Sequence, residues 1–279
     1  MGVGVDIDRV SAIIAEVAAQ EIMPRHAKLA AGDVREKGPG DLVTIADEAA
    51  EHSLSPQLMA LLPGSCVLGE EGAARSPDLL QRLAGDAPVW VIDPIDGTSN
   101  FAAGEGDFGV MVALVRHDAV LAGWIYDPRK HEMLTADIGG GAWLGAKRLH
   151  VAKPPSDPAT LSGVLLAGFF GNRELGKQVQ ARRERLTTLK SRRCAASEYR
   201  RLAEGEMHFA LFTKLMPWDH CPGVLIHAEA GGYNSYVEGG RYKPSATKAS
   251  ALMLAPDAAS WQQLYDVLIA PEPNVARHG

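Results

Sequence analysis

A chain of 279 residues is long enough to bury a sizeable core, as one large domain or as two fused halves. Hydrophobic residues make up 46% and charged residues 22%, the balance of a soluble globular protein. The 34 acidic residues outnumber the 28 basic ones and the pI is near 5.9, which argues against a duplex-binding protein, whose contact face is basic.

The N-terminus has no basic stretch ahead of an apolar core, and no apolar run is long enough to span a bilayer, so neither a signal peptide nor membrane association is expected. From Asp6 to Leu29 apolar residues recur at helical spacing (Val10, Ile14, Val17, Ile22), with Pro24 as a kink or stop. Lys37-Gly38-Pro39-Gly40 reads as a turn or flexible loop. A second helix is expected from Ala46 to Leu62, interrupted at Pro56 and ended by Pro63-Gly64. Strand-like runs follow at Cys66-Val67-Leu68 and Val89-Trp90-Val91-Ile92. A meander of antiparallel strands is then expected over Val110 to Val115, Val120 to Tyr126 and Glu132 to Ala136, punctuated by Gly139-Gly140-Gly141.

Pro154-Pro155 marks a boundary, dividing the chain into 1–153 and 154–279. The second part alternates strand and helix: strands at Leu161 to Leu166, Met207 to Phe212 and Ala251 to Leu254, helices at Ser197 to Ala203 and Cys221 to Ala230, and a last helix after the final strand. Such alternation predicts a layered α/β architecture, with a first half of α+β character. Cys66, Cys194 and Cys221 are scattered and form no Cys-x-x-Cys pair, so no zinc site or disulfide framework is expected and a reducing cytoplasm fits best. Arg182, Arg183, Arg185, Lys190, Arg192 and Arg193 form one basic cluster, read either as a solvated helix face or as a rim that attracts an anionic substrate.

The chemistry concentrates at Trp90-Val91-Ile92-Asp93-Pro94-Ile95-Asp96-Gly97-Thr98-Ser99-Asn100-Phe101. An apolar strand ends in two carboxylates, Gly97 permits a sharp turn, and Thr98, Ser99 and Asn100 are helix-capping types. Paired carboxylates suit a hard cation such as Mg²⁺, and a helix start suits phosphate. Three further segments carry acids at element ends: Gly69-Glu70-Glu71-Gly72, Asp41 to Asp47, and Met216-Pro217-Trp218-Asp219-His220. Each alone reads equally as a solvated turn or a helix cap.

In order, spacing and residue type, the four segments together resemble the inositol monophosphatase family, within the lithium-sensitive, metal-dependent sugar and nucleotide phosphatases. The resemblance runs from Asp41 to Gly232 and rests chiefly on Asp93 to Phe101 and on Trp218-Asp219 through Glu229-Ala230-Gly231-Gly232. It implies a layered αβαβα sugar-phosphatase fold and a phosphoric monoester hydrolase using two to three Mg²⁺ ions and attack by water. Glu70, Asp93 and the carbonyl of Ile95 would hold one ion, and Asp93, Asp96 and Asp219 another. Gly97 and Thr98 would present backbone N–H groups to phosphate. Thr98, paired with Asp47, would orient and deprotonate the water, with Glu70 also in the catalytic set. Lys37 would sit in a loop close to the metals. A homodimer, lithium inhibition and a small phosphorylated metabolite as substrate are implied in the same way.

The chain departs from the family's pattern where substrate is read. Arg193-Cys194-Ala195-Ala196-Ser197 stands where a Gly-Ser-Ala-Ala-like segment is usual. Seven residues before Asp219, where inositol phosphatases carry a glutamate, this chain has Phe212, and Lys214 also differs. Ala195, Ala196, Phe212 and Lys214 are therefore the candidate specificity residues. Histidinol phosphate, fructose 1,6-bisphosphate and a 3′-phosphonucleotide stand beside inositol phosphate as substrates. A non-catalytic metabolite-binding protein on the same fold is the reading of a different class. His220 is expected to be packed rather than catalytic.

Overall fold

The structure, a computed structural model, describes residues 4–30, 32–38, 40–166 and 173–271. Asp6 caps helix α1 (Ile7–Val17) by accepting a hydrogen bond from the Arg9 N–H, and α1 buries Val10, Ile13, Ile14 and Val17. The single helix expected to Leu29 is shorter. It passes into a π-turn at Ala18–Ile22, where the Met23 N–H reaches back to Ala18, and the chain then turns at Pro24, which has no N–H to continue an α-helix.

The turn expected at Lys37-Gly38-Pro39-Gly40 joins a hairpin, β1 (Val34–Gly38) against β2 (Asp41–Thr44), whose strands were not expected; Pro39 lies outside the described residues. Helix α2 (Ile45–Leu61) begins in a capping box between Thr44 and Asp47. Pro56 does not interrupt it. Pro56 is exposed, so the backbone carbonyl it leaves unpaired faces water, while Ala50, Leu54 and Leu58 hold the opposite face in the core.

Strand β3 (Cys66–Gly69) leads into the short helix α3 (Glu70–Arg75). Strand β4 (Val89–Asp96) leads into α4 (Thr98–Ala103). The meander follows as β5 (Gly109–Arg116), β6 (Ala119–Asp127), β7 (Glu132–Asp137), β8 (Gly141–Leu144) and β9 (Lys147–Arg148). Strands β3 to β9 form one sheet in sequence order, parallel at β3/β4 and antiparallel beyond. The rest of the chain supplies β10 (Ser162–Leu166), α5 (Arg173–Arg182), β11 (Thr187–Thr188), α6 (Ala195–Ala203), β12 (Phe209–Phe212), α7 (Pro217–Glu229), β13 (Tyr233–Tyr236), β14 (Leu252–Ala255) and α8 (Ala258–Leu268). Its strands form a second sheet in the order β11-β10-β12-β14-β13.

Three buried clusters define the layers. Residues of α1 and α2 pack on Trp90, Val112 and Trp124 of the first sheet. Tyr199 and Leu202 of α6 and Val224 and Ile226 of α7 lie between Met111, Ile125 and Leu134 of the first sheet and Val164, Ala210 and Leu252 of the second. Val179 of α5 and Leu264 of α8 cover the far face of the second sheet. This is the five-layer αβαβα arrangement expected from the resemblance. Among the described residues no helix is long and apolar enough to cross a membrane.

Candidate metal centre

The site begins with an irregularity in β4. In a regular strand, residues three apart point to opposite faces. Asp93 pairs with Met111 and Asp96 with Gly109, so three steps along β4 match two along β5. The extra residue is a β-bulge, and it turns Asp93 and Asp96 toward the same side. The Ile95 N–H donates to Asp93 Oδ1 at 3.0 Å, which holds the bulge closed. Gly97 then takes φ +86°, and α4 starts at Thr98. From the part of the chain that forms the second sheet, the first turn of α7 brings in Asp219. Carboxylate oxygens of Asp93, Asp96 and Asp219 all lie within 4.8 Å of one another. Three hard anionic oxygens so close, on buried or half-buried side chains, fit a Mg²⁺-like cation.

Glu70 lines the same cleft, together with Ile95, Gly97, Thr98, Asp41 and Lys214. It lies at the start of α3, and its Oε1 accepts from Lys37 Nζ at 2.7 Å; the same ammonium donates to Glu71 Oε1 at 2.9 Å. The acidic turn is held from below by Glu51, which accepts from the Glu71 N–H at 2.8 Å and the Gly72 N–H at 2.9 Å. A Cβ on Gly69 would sit 2.2 Å from the Glu51 carboxyl, so this glycine makes room for the carboxylate that fixes Glu70. Sequence reading missed Glu51; the glycines bracketing the two acids were the available signal.

Asp47 is buried beneath the cleft. Its Oδ2 accepts from the Thr44 N–H and hydroxyl at 2.8 and 2.6 Å, and its Oδ1 lies 3.4 Å from the Thr98 hydroxyl. Thr98 Oγ1 has a closer acceptor in the Ile95 carbonyl, at 2.9 Å. Asp96 Oδ2 accepts from the Ala196 N–H at 2.7 Å and the Cys194 thiol at 2.9 Å. Cys194 was not expected at the centre.

Burial and mutual repulsion make these acids hard to ionise together. Burial, then the charges of Glu70, Asp96 and Asp219, push Asp93 well above the usual carboxylate range. Burial raises Glu70 to about 7, with the Asp219 charge adding and Lys37 opposing. Burial raises Asp219 to about 7 against the pull of Lys214, and Asp47 to about 7 against its hydrogen bonds from Thr44. Burial likewise raises Asp96, opposed by its bonds from Cys194 and Ala196. Between about pH 4 and 7 the folded chain then binds more protons at these carboxyls than the unfolded chain does. Stability without metal should be greatest at the acid end of that window and fall as pH rises through 7. Thermal melts in EDTA should show Tm falling from about pH 5 to about pH 8, and Mg²⁺ should restore it at the upper end. A Tm in EDTA that climbs over this range would contradict the crowding.

The sequence pattern of the inositol monophosphatase family matches residues 6–271 of the chain. The chain belongs to the inositol monophosphatase family. An inositol-1-monophosphatase of Mesorhizobium japonicum is 37% identical over 212 residues, covering 74% of this chain and 76% of its own. A fructose-1,6-bisphosphatase/inositol-1-monophosphatase of Thermotoga maritima is 30% identical over 202 residues, covering 71% and 72%. A solved IMPase structure from Thermotoga maritima superposes with a TM-score of 0.76 at 24% identity, over 94% of this chain and 96% of that one; it shares the fold. Members of the inositol monophosphatase family are metal-dependent phosphatases, and the chain is a phosphoric monoester hydrolase.

Against the inositol monophosphatase pattern, the four residues expected to read substrate separate. Ala195, Phe212 and Lys214 line a second cavity of about 510 Å³ that opens beside the carboxylates. Ala196 is buried and is not among the residues that line this cavity; its N–H donates to Asp96. Phe212 gives only an edge to the cavity. Its ring is 4% exposed, stacked on Tyr199 at 5.3 Å and edge-on to His220 at 4.8 Å. His220 is packed as expected, bonded to the Tyr199 hydroxyl and the Lys214 carbonyl, and burial lowers its pKa to about 4. Phe212→Glu would bury a carboxylate in this aromatic stack, so its main effect should be on folding: a stability loss of at least about 3 kcal/mol, read by denaturant melts. A fully stable variant with altered substrate preference would contradict a mainly structural role for Phe212.

Proposed function

We propose that the chain is a Mg²⁺-dependent phosphomonoesterase that hydrolyses a small phosphorylated metabolite by direct attack of water. The observation that carries this is the convergence of Asp93, Asp96 and Asp219 oxygens within 4.8 Å, in a cleft also lined by Glu70 and Thr98. In this reading Glu70, Asp93 and the Ile95 carbonyl hold one ion, and Asp93, Asp96 and Asp219 hold another. The ions supply positive charge that acidifies a water molecule and neutralises the phosphoryl oxygens. Thr98 and Asp47 orient that water and take its proton; Thr98 Oγ1 lies 3.4 Å from Asp47 Oδ1 and would relay the proton there by turning its hydroxyl away from the Ile95 carbonyl. Backbone N–H groups of Gly97 and Thr98 receive the phosphate, which needs positioning and charge neutralisation more than covalent chemistry.

The division at residues 153 and 154, the homodimer and the cytoplasmic setting belong to the same proposal. So does lithium inhibition, at millimolar order, through competition at Asp96 and Asp219. The test is a phosphate-release panel with Mg²⁺: inositol 1-phosphate, histidinol phosphate, fructose 1,6-bisphosphate and a 3′-phosphonucleotide, each with and without Li⁺. Release from at least one, well above that of Asp219→Asn, is expected. Release from none would contradict the proposal; release without Li⁺ sensitivity would remove only the lithium site.

A further inference from the structure

Of the basic cluster, Arg182 donates to the Ala270 carbonyl, Arg183 to Gln180 and Thr188, and Arg192 faces Asp107. Arg193 behaves differently. It lines both the carboxylate cleft and the 510 Å³ cavity, at their junction, and among the described residues its guanidinium has no ion pair. Its backbone takes φ +57°, a left-handed conformation that favours glycine and that a long side chain keeps only where the surroundings enforce it. Here they do. The Arg193 N–H donates to Ser191 Oγ at 2.9 Å, and the Arg192 N–H to the buried Glu198 at 2.6 Å. Asn100 donates to the Arg192 carbonyl at 3.0 Å, and the next residue, Cys194, is tied to Asp96. The turn is clamped on both sides, which fixes Arg193, an exposed residue, at the junction of the two spaces.

Lys214 lines the same two spaces from the opposite element, after β12. The rest of the cavity wall mixes apolar Leu165, Leu166, Ala195 and Phe212 with neutral polar Gln180, Ser191 and Thr213, so Arg193 and Lys214 are the groups there that favour an anion over a hydroxyl. Two cations at the junction of a metal-binding cleft and a small-molecule-sized cavity fit an anion carried by the part of the substrate that leaves.

We propose that Arg193, with Lys214, forms an anion subsite that selects phosphomonoesters bearing a second anionic group, a phosphate or a carboxylate, on the leaving alcohol. This deepens the phosphatase reading above and rests on it. It also disfavours substrates with a cationic leaving group.

Two matched pairs isolate the second anion: 3-phosphoglycerate against glycerol 3-phosphate for a carboxylate, and fructose 1,6-bisphosphate against fructose 1-phosphate for a phosphate. The wild type should prefer the more anionic member of at least one pair by about tenfold or more in kcat/KM, mostly through KM, and the pair that discriminates names the anion. Arg193→Gly relieves the left-handed strain, so it should fold at least as well, and it should cut that preference by about tenfold. Equal use of both members of both pairs by the wild type, or a ratio unchanged by Arg193→Gly, would overturn the subsite. Calorimetric binding of the same pairs separates the two levels of the account. Selective binding that Arg193→Gly abolishes, with no phosphate released from any compound, would sink the phosphatase reading and keep the subsite.

Discussion

Asp93→Asn is expected to lower kcat by about 10³-fold or more while raising the melting temperature of the metal-free protein. Asp93 is 1% exposed, sits at the bulge of β4, and is held above the usual carboxylate range first by burial and then by the charges of Glu70, Asp96, Asp219 and Asp47. An amide keeps the shape and the acceptor that receives the Ile95 N–H, so the bulge should survive. What disappears is one ionisable carboxyl. In the folded, metal-free protein that carboxyl resists ionisation, whereas the unfolded chain ionises it freely, so the amide removes a cost of folding and should stabilise the metal-free protein. With Mg²⁺ present it removes an anionic oxygen from the centre of the site, and hard cations depend on such oxygens. The opposite signs in the two measurements separate a damaged site from a damaged protein. An Asp93→Asn variant that turns over like the wild type, or one that is destabilised in EDTA, would contradict the assignment.

Gly97→Ala should cost about 10²-fold in kcat and about 1–3 kcal/mol in stability, because it strains the turn that joins metal ligands to Thr98. Gly97 has φ +86°, and an added Cβ would lie 2.7 Å from the Asp107 carbonyl oxygen and 3.3 Å from Cys194 Cβ. That carbonyl is already fixed as the acceptor of Asn100 Nδ2 at 2.7 Å. Relief must therefore come from moving the backbone between Asp96 and Thr98. A displacement there shifts the Asp96 carboxylate and the Thr98 hydroxyl, the group proposed above to orient water, together. Kinetics and melts of the variant check this; a neutral outcome in both would mean that the turn has slack the geometry does not show.

The parts of this architecture that depend on local pattern were legible in the sequence. Alternation at Val110 to Val115 and Val120 to Tyr126, and the acids closing Val89 to Ile92, placed the strands and the candidate site from neighbours alone. Features that depend on contacts across the fold were not. The bulge at Pro94 and Ile95 exists because β4 must pair with β5, which no periodicity in β4 reveals. Glu51 supports a turn twenty positions later, and Cys194 reaches Asp96 across 98 positions. Pro56 was over-read because its effect depends on which face of α2 meets water, and the π-turn before Pro24 because spacing alone does not distinguish an α-turn from a wider one. Phe212 was read as a substitution in a substrate pocket; it does border the cavity, but only at one edge, because its ring packs on Tyr199 and His220, which no spacing in the sequence reveals. Arg193, one residue of a cluster that reads equally well as a solvated face, stands out only through its backbone angle and the two spaces it borders.

The most direct test of the central claim is phosphate release by one preparation carried through chelation and return of metal. Activity measured on the best substrate of the panel should fall to background when EDTA is added, and should return when Mg²⁺ is supplied in excess over the chelator. The Asp219→Asn protein should stay near background throughout. Phosphate release that persists in EDTA at the rate seen with Mg²⁺ would contradict a metal centre built from Glu70, Asp93, Asp96 and Asp219.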